Sequence, residues 1–463
     1  MHSFVTLPGG LVEEARTPQN KLNEIFEEFL HRDDQTTLKT MLVDLHPADI
    51  SEAIVRLDME SRLRILSLLD TEQAAEVLVE LDTTFRQEIL RALDEETIAK
   101  IIGAMDSDDA TDVIGELEED VAQRILRAMP WKEFREVKTL LRHDEETAGG
   151  IMALEIVAVN QDRTAKEAMD VLRRKADEVE DVYNIYVVDN GGILRGIVSL
   201  KELVLANPRV KLATIMDKEA ISIRPEMDQE EVANIFHKYD LVAAPVVDEQ
   251  GRLVGRITVD DVLDVVEEEA SEDITLMAGI TDETIRHKSI LRLSGVRLPW
   301  LLVAFVGEMI SAVVMRHYQA SLDRIIASAF FIPLIMAMGG NTGIQSATVV
   351  IRGLATGDIS LRDTGRRLVR EISVAFLNGF VISGLLFSMV TFWLHDAKFG
   401  LILGFSLLTV LFIAAFMGTL MPFFLKRLNV DPAIATGPFI TTSNDVLGLM
   451  VYFGMIDILF HWL

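Results

Sequence analysis

Asn341, Gln345, Thr348 and Arg352 stand at i, i+4, i+7 and i+11 within PLIMAMGGNTGIQSATVVIRGLATGD, from Pro333 to Asp358. At helical spacing they form one polar stripe, and the opposite face is Ile, Val, Met and Ala. The stretch is otherwise apolar enough to enter a bilayer, where an unpartnered amide costs roughly 2–7 kcal/mol. These side chains must therefore meet protein, water or an ion. Gly340 and Thr342 flank Asn341, and Gly339 with Gly343 makes a GxxxG pair that close helix packing explains by itself. Packing does not explain Asn341, Gln345 and Thr348.

A second segment, PFITTSNDVLGLMVYF, carries Asp445 near its middle, with Thr441, Gly448 and Tyr452 on the same helical face. An ionisable side chain at bilayer depth costs about 2.5–3.5 kcal/mol even on lenient scales, which makes Asp445 a functional candidate. A carboxylate paired with an arginine, or snorkelling at a helix end, is the plainer alternative. Glu308 is a second acid at such depth, and Asp457 lies near enough to a segment end to be interfacial.

A third cluster, DDVLDVVEEEASED from Asp260 to Asp273, holds eight acids in fourteen residues, Asp261, Asp264, Glu269, Glu272 and Asp273 among them. Like charges at i,i+4 repel by about 0.2–0.5 kcal/mol per pair, so such a run needs solvent or a cation. Its place just before the apolar half favours a cation. Donors that are carboxylates, amides and hydroxyls suit Mg²⁺, which takes oxygen ligands and sheds water reluctantly. The sequence has no cysteine, and its apolar half has no histidine cluster that would favour Zn²⁺ or Cu²⁺. Mn²⁺ and Co²⁺ remain open on this chemistry.

The elements that hold these residues divide the 463-residue chain in two. From Leu291 onward there are 12 Lys and Arg against 9 Asp and Glu; before it there are 32 against 63. A net charge near −31 on the first part argues against nucleic-acid binding, which needs a basic surface along the phosphate backbone. The second part contains five apolar segments, about 298–315, 325–351, 372–394, 401–425 and 433–459, each long enough for a ~30 Å hydrocarbon core. Arginines and lysines gather before the first segment, between the second and third, and between the fourth and fifth. The positive-inside rule then predicts the acidic half in the cytoplasm and the C-terminus outside. No apolar run occupies the first thirty residues, which agrees with a cytoplasmic N-terminus.

Two internal repeats fill the acidic half. A Leu-Asp pair or close equivalent recurs every twelve residues, from Leu57-Asp58 through Leu69-Asp70, Leu81-Asp82, Leu93-Asp94 and Met105-Asp106 to Leu117-Glu118. Short helices of this size predict a superhelical stack. Further on, IVAVNQDRTAKEAMDVL matches AISIRPEMDQEEVANIF, and VVDNGGILRGIVSLKELV matches VVDEQGRLVGRITVDDVL. Each copy predicts strand, helix, strand, Gly turn, strand, helix.

This duplication resembles a tandem pair of CBS domains. In that family a hydroxyl and a carboxylate at the spacing of Thr258 and Asp261 hold the ribose of an adenine nucleotide; the first copy has Ser199 and Glu202 instead. Taken with the two membrane motifs and the acidic repeat, the chain resembles the MgtE-type magnesium transporters and channels over nearly its whole length. The resemblance implies a multidomain membrane protein. An all-α superhelical N domain (23–135) follows a tail (1–22); two α/β CBS domains (136–207 and 208–268), a connecting plug-helix region (269–290) and a five-helix transmembrane pore domain (291–463) complete it.

It further implies a homodimer in a multi-pass plasma (inner) membrane, importing Mg²⁺ through a pore and closed by Mg²⁺ on the cytoplasmic side. Asp445 would be the pore carboxylate, with Asn341, Gly340, Thr342, Gln345 and Thr441 along the path; Glu308 has no clear counterpart. The sensor ligands would be Asp106, Asp109, Asp240, Asp261, Asp264, Glu269, Glu272 and Asp273, with ATP at Thr258 and Asp261. A broader divalent-cation transporter and a CBS-regulated carrier of an organic solute are the competing expectations. No inverted repeat favours the carrier. An enzyme would need a nucleophile beside a base or a metal-plus-water set, and the sequence shows neither.

Overall fold

The Leu-Asp repeat proves to be a capping repeat. In the computed structural model, which describes residues 19–32, 34–176, 179, 182–277, 280, 290–428, 430–435 and 438–462, Asp58, Asp70, Asp82 and Asp94 each stand at the N-cap of the next helix. Each carboxylate accepts a backbone N–H two or three residues on, satisfying an amide that the helix itself cannot. The preceding apolar residue turns inward: Leu57 and Leu81 are buried, and Leu69, Leu93, Met105 and Leu117 pack against the same core. Helices two apart in sequence lie side by side, Pro47–Val55 on Thr71–Val79, then Glu95–Ile102, then Glu119–Ala128. That stacking is the expected superhelix. Residues 1–18 lie outside the described residues, as do 281–289 of the expected plug region.

The duplicated segment folds as two matching modules. Strand β1 (Ala158–Asn160) runs parallel to β2 (Asn184–Val188), which pairs antiparallel with β3 (Leu194–Ser199). In the second copy β4 (Ala243–Val247) pairs antiparallel with β5 (Leu253–Thr258), and Ile223 bridges Val246 in parallel as β1 does β2. Both hairpins turn the same way. Asp189 Oδ1 accepts the N–H groups of Gly191 and Ile193, and Asp248 Oδ1 those of Gln250 and Arg252. Gly192 and Gly251 then adopt φ of 78° and 77°, which a side chain would oppose. The hairpins also clasp one another, with Leu194 N–H donating to Gly251 O at 2.9 Å and Leu253 N–H to Gly192 O at 3.0 Å. Such reciprocity is what a duplicated sequence folding as a pseudo-symmetric pair produces.

Helix Val259–Met277 begins directly after β5 and continues past the expected domain boundary at 268 without a break. The residues fall into two compact units, one ending at Leu263 and the other starting at Asp264. Among the described residues of the second unit, five helices are long and apolar enough to cross a membrane: Leu293–His317, Ile326–Ala355, Leu361–Leu394, Ala397–Arg427 and Phe439–Ile458. They coincide with the five apolar segments of the sequence, with two differences in bounds: the third begins eleven residues earlier than expected, at Leu361, and the fifth is shorter, covering Phe439–Ile458 of the expected 433–459. The fourth is the most enclosed, packing on the second, third and fifth. Leu276, at the end of helix Val259–Met277, packs with Ala347, Ile351, Ala433 and Ile440 of this helical unit.

Candidate ion sites

Helix Ile332–Ala355 has two unlike faces. Ile335, Gly339, Gly343, Ala347 and Val350 are buried on one side, while Asn341 and Gln345 are exposed on the other. The glycines explain the buried side: a Cβ on Gly418 would collide with the Gly343 carbonyl, so the helices that carry these two glycines touch backbone to backbone. Gly340 lies on the open side, where a Cβ would meet nothing. Thr348 is half-buried, and the half-buried Thr342 donates its hydroxyl to Met338 O at 2.9 Å. Thus two amides of this apolar helix are exposed in a region where facing lipid would be costly.

Asp445 is half-buried on helix Pro438–Trp462, and its carboxyl stands beside that of Glu308 on helix Ile290–His317. The approach is close because Gly307, next to Glu308, leaves room for Thr442. Asn444, 4% exposed, sits against Gly343 with no hydrogen-bond partner for Nδ2. The helical face expected to join Thr441, Asp445, Gly448 and Tyr452 divides. Gly448 packs on Met336, and Tyr452 is fully buried, donating to Ser328 O at 2.8 Å. Thr441 and Asp445 remain partly accessible.

A second gathering of carboxylates lies in the first unit. Helix Ser107–Gly115 opens with Asp108 and Asp109, preceded by Asp106 at its N-cap position, where Asp106 makes no side-chain capping bond. Ser107 ties this end to the segment before the CBS strands: its Oγ donates to Glu155 Oε2 and accepts the Leu154 N–H, both at 2.8 Å. Across from it stand Asp261 and Arg256 of the second CBS copy, with Arg256 Nη2 3.9 Å from Asp106 Oδ2. Burial, then the charge of Asp261 and neighbouring acids, holds the Asp108 carboxyl well above the usual carboxylate range. Burial and Asp261 also push Asp109 up to about 7. Asp261 itself is raised to about 6 by burial, although it accepts the N–H and Oγ1 of Thr258 at 3.0 and 2.8 Å.

That Thr258–Asp261 pair matches Ser199–Glu202 in the first copy, where hydroxyl and carboxylate close a capping box. The nucleotide candidates are therefore bonded to each other as a helix start. The structure brings Asp106, Asp109 and Asp261 together. Asp240 is instead exposed, in a left-handed conformation (φ 50°) at the end of helix Gln229–Tyr239. Asp264, Glu269, Glu272 and Asp273 lie further along the helix that begins with Asp261. Among the described residues, no group of three or more Asp, Glu, His or Cys is spaced to enclose an ion. The sequence reading missed Asp108, Glu155, Arg256 and Asn444. Asp108 and Arg256 stood within quoted or repeated motifs, but only the fold shows them facing one another.

Residues 332–455 match the family model of the MgtE divalent cation transporter, 45–146 that of the MgtE intracellular N domain, and 148–208 and 212–268 the CBS domain. The chain is 38% identical over 446 residues to the magnesium transporter MgtE of Thermus thermophilus, covering 95% of this chain and 99% of that one. It is 36% identical over 338 residues to the magnesium transporter MgtE of Bacillus subtilis, covering 72% and 74%. Among solved structures, it resembles the cytosolic domain of the Mg²⁺ channel MgtE in complex with ATP. That likeness has 39% identity and a TM-score of 0.51, over 52% of this chain and 99% of that one. The soluble part of a magnesium transporter is similar at 28% identity and a TM-score of 0.52, over 54% and 99%.

Proposed function

The chain belongs to the MgtE family of magnesium transporters, and from that premise we propose that two copies form a Mg²⁺ pore that Mg²⁺ closes from the acidic side. It is a membrane transporter or channel for Mg²⁺ and not an enzyme. The observation that carries the pore reading is the exposed pair Asn341 and Gln345 on a helix otherwise fit for lipid. A second copy facing the first across that surface would enclose these amides around a hydrated path. Asp445 supplies the negative charge, and Thr441, Thr342 and the bare backbone at Gly340 give small oxygen-lined walls. Mg²⁺ keeps several of its waters, so one carboxylate per copy with neutral oxygens around it fits this ion without a closed cage. The donor set selects against ions that prefer nitrogen or sulfur; discrimination from Mn²⁺ and Co²⁺ would rest on hydration and pore width.

The regulatory reading rests on Asp106, Asp108, Asp109 and Asp261. Their mutual repulsion in a low-dielectric setting destabilises the apposition of N domain and CBS pair until a cation neutralises it. Rising Mg²⁺ then favours the packed form, and the acids of helix Val259–Met277 extend the same response toward the membrane unit. Moving such an equilibrium from 1:99 to 99:1 takes roughly 5.5 kcal/mol, so about five weak sites would each contribute near 1 kcal/mol. ATP at Thr258 and Asp261 is the second ligand of the CBS pair in this reading, and calorimetry showing no heat at millimolar ATP would remove it. The arginine-rich ends of the spans face the cytoplasm, with the acidic half, and the C-terminus lies outside. Patch recordings of the full-length protein test the whole: currents carried by Mg²⁺ should close as Mg²⁺ rises on the acidic side. Currents indifferent to it would end the gating reading, and an absence of Mg²⁺ current would end the pore reading.

A further inference from the structure

We propose that an anionic phospholipid binds in the groove at the arginine-rich ends of the third and fourth membrane helices. The groove holds about 560 Å³ and is lined by Met417, Leu420, Met421 and Phe424 of the fourth helix, by Leu361 at the start of the third, and by Arg427 at the end of the fourth. Phe424 and Leu361 are largely exposed within the protomer. From Met417 to Arg427 the helix rises about 15 Å, half of a ~30 Å hydrocarbon core. The apolar wall therefore has the depth of one leaflet, and the cation stands where that leaflet's headgroups begin. Arg362, Arg366 and Arg370 are exposed at the same end of the neighbouring helix. Basic pockets between membrane helices at the cytoplasmic surface recognise anionic headgroups, so charge and depth select the same occupant. The choice of leaflet rests on the orientation proposed above; the binding itself does not depend on the pore.

The groove also adjoins the helix end that the gating reading above invokes. Met421 packs with the cluster in which Leu276, at the end of helix Val259–Met277, meets Ala347 and Ile351. An acyl chain against Met421 would thus steady the surface on which that helix end rests.

The test uses the full-length protein in phosphatidylcholine vesicles doped with photo-activatable phosphatidylglycerol or photo-activatable phosphatidylcholine, with adducts mapped by peptide mass spectrometry. Phosphatidylglycerol adducts should concentrate on residues 417–427 and exceed the phosphatidylcholine adducts there. Arg427→Gln should lower them about fivefold, the loss of one cation near an anionic headgroup. Leu420→Trp, which fills the groove and leaves the charges alone, should abolish them; if that variant does not insert, the Arg427→Gln comparison decides. Equal labelling by both lipids along every outward helix would mean annular lipid only and overturn the proposal. So would adducts displaced by inorganic phosphate, which would mark a simple anion site, or crosslinks joining Phe424 of one copy to another copy. Because the readout is labelling rather than flux, a failed pore reading would leave this result intact.

Discussion

Asp106 occupies a helix-cap position yet directs its carboxylate to within 3.9 Å of Arg256 in the second CBS copy. The equivalent Asp70 accepts the Gln73 N–H at 2.9 Å and serves its own helix. One repeat position thus has two roles, and substitution separates them. Asp70→Ala should cost about 0.5–2 kcal/mol of stability through the lost cap, with the Mg²⁺ dependence of closure unchanged. Asp106→Ala loses no capping bond and should instead move the Mg²⁺ midpoint by up to about fivefold, one site's share of the population shift. Thermal melts and flux titrations on both variants check this; matching effects would erase the distinction.

Acidification should replace Mg²⁺ in part. Asp109 is raised to about 7 and Asp261 to about 6 from an ordinary 3.8, and Asp108 is raised as well. Such groups hold protons more tightly when packed, so their contribution favours the packed form fully below about pH 4 and is lost as pH climbs to about 7. The capping acids Asp58 and Asp94 lie below 3.8 and stay charged throughout this window. Without divalent cation, the protein should therefore melt at a higher temperature at pH 5.5 than at pH 7.5. Added Mg²⁺ should raise the midpoint more at pH 7.5. A flat pH profile in the chelated protein would contradict the buried cluster.

The sequence made the repeats, the hairpins and the spans legible because each depends on local rules: capping acids, glycines at positive φ, and apolar length. Asp445 was legible for the same reason, as a charge inside an apolar run. What escaped was set by tertiary apposition. Nothing in the local sequence around Asp108 marks it off from the other acids of the repeat, yet it is buried with 7% exposure. Arg256 read as part of a glycine-flanked strand. The GxxxG pair was assigned to packing, and Gly343 does pack, but nothing local named Gly418 as its partner.

Gly418 and Gly340 give a contrast within one site. Gly418→Ala drives a methyl into the Gly343 carbonyl, and forcing the helices apart should cost about 1–3 kcal/mol. Gly340→Ala meets open space and removes a helix-weakening glycine, so the fold should be unharmed or slightly firmer. Any loss in Gly340→Ala should appear in Mg²⁺ flux alone. Thermal midpoints in detergent with flux in vesicles separate the two. A destabilised Gly340→Ala would mean that its open face is packed in the assembled protein.

Asp445 and Glu308 stand side by side, yet their substitution should not be equivalent. Two unit charges about 4 Å apart interact by about 4 kcal/mol at an effective dielectric near 20, which is roughly a thousandfold in occupancy. Asp445→Ala removes that attraction for a passing cation and should reduce Mg²⁺ flux to background while the protein still inserts. Glu308→Gln keeps a side chain of the same length whose amide can donate to Asp445, leaving one carboxylate on the path. Flux should persist there, with a weaker Mg²⁺ dependence on the side from which ions enter. Vesicle uptake with equal protein levels decides the assignment. Undiminished uptake in Asp445→Ala would remove Asp445 from the path, and an equal loss in Glu308→Gln would make the pair, rather than Asp445 alone, the ion's site.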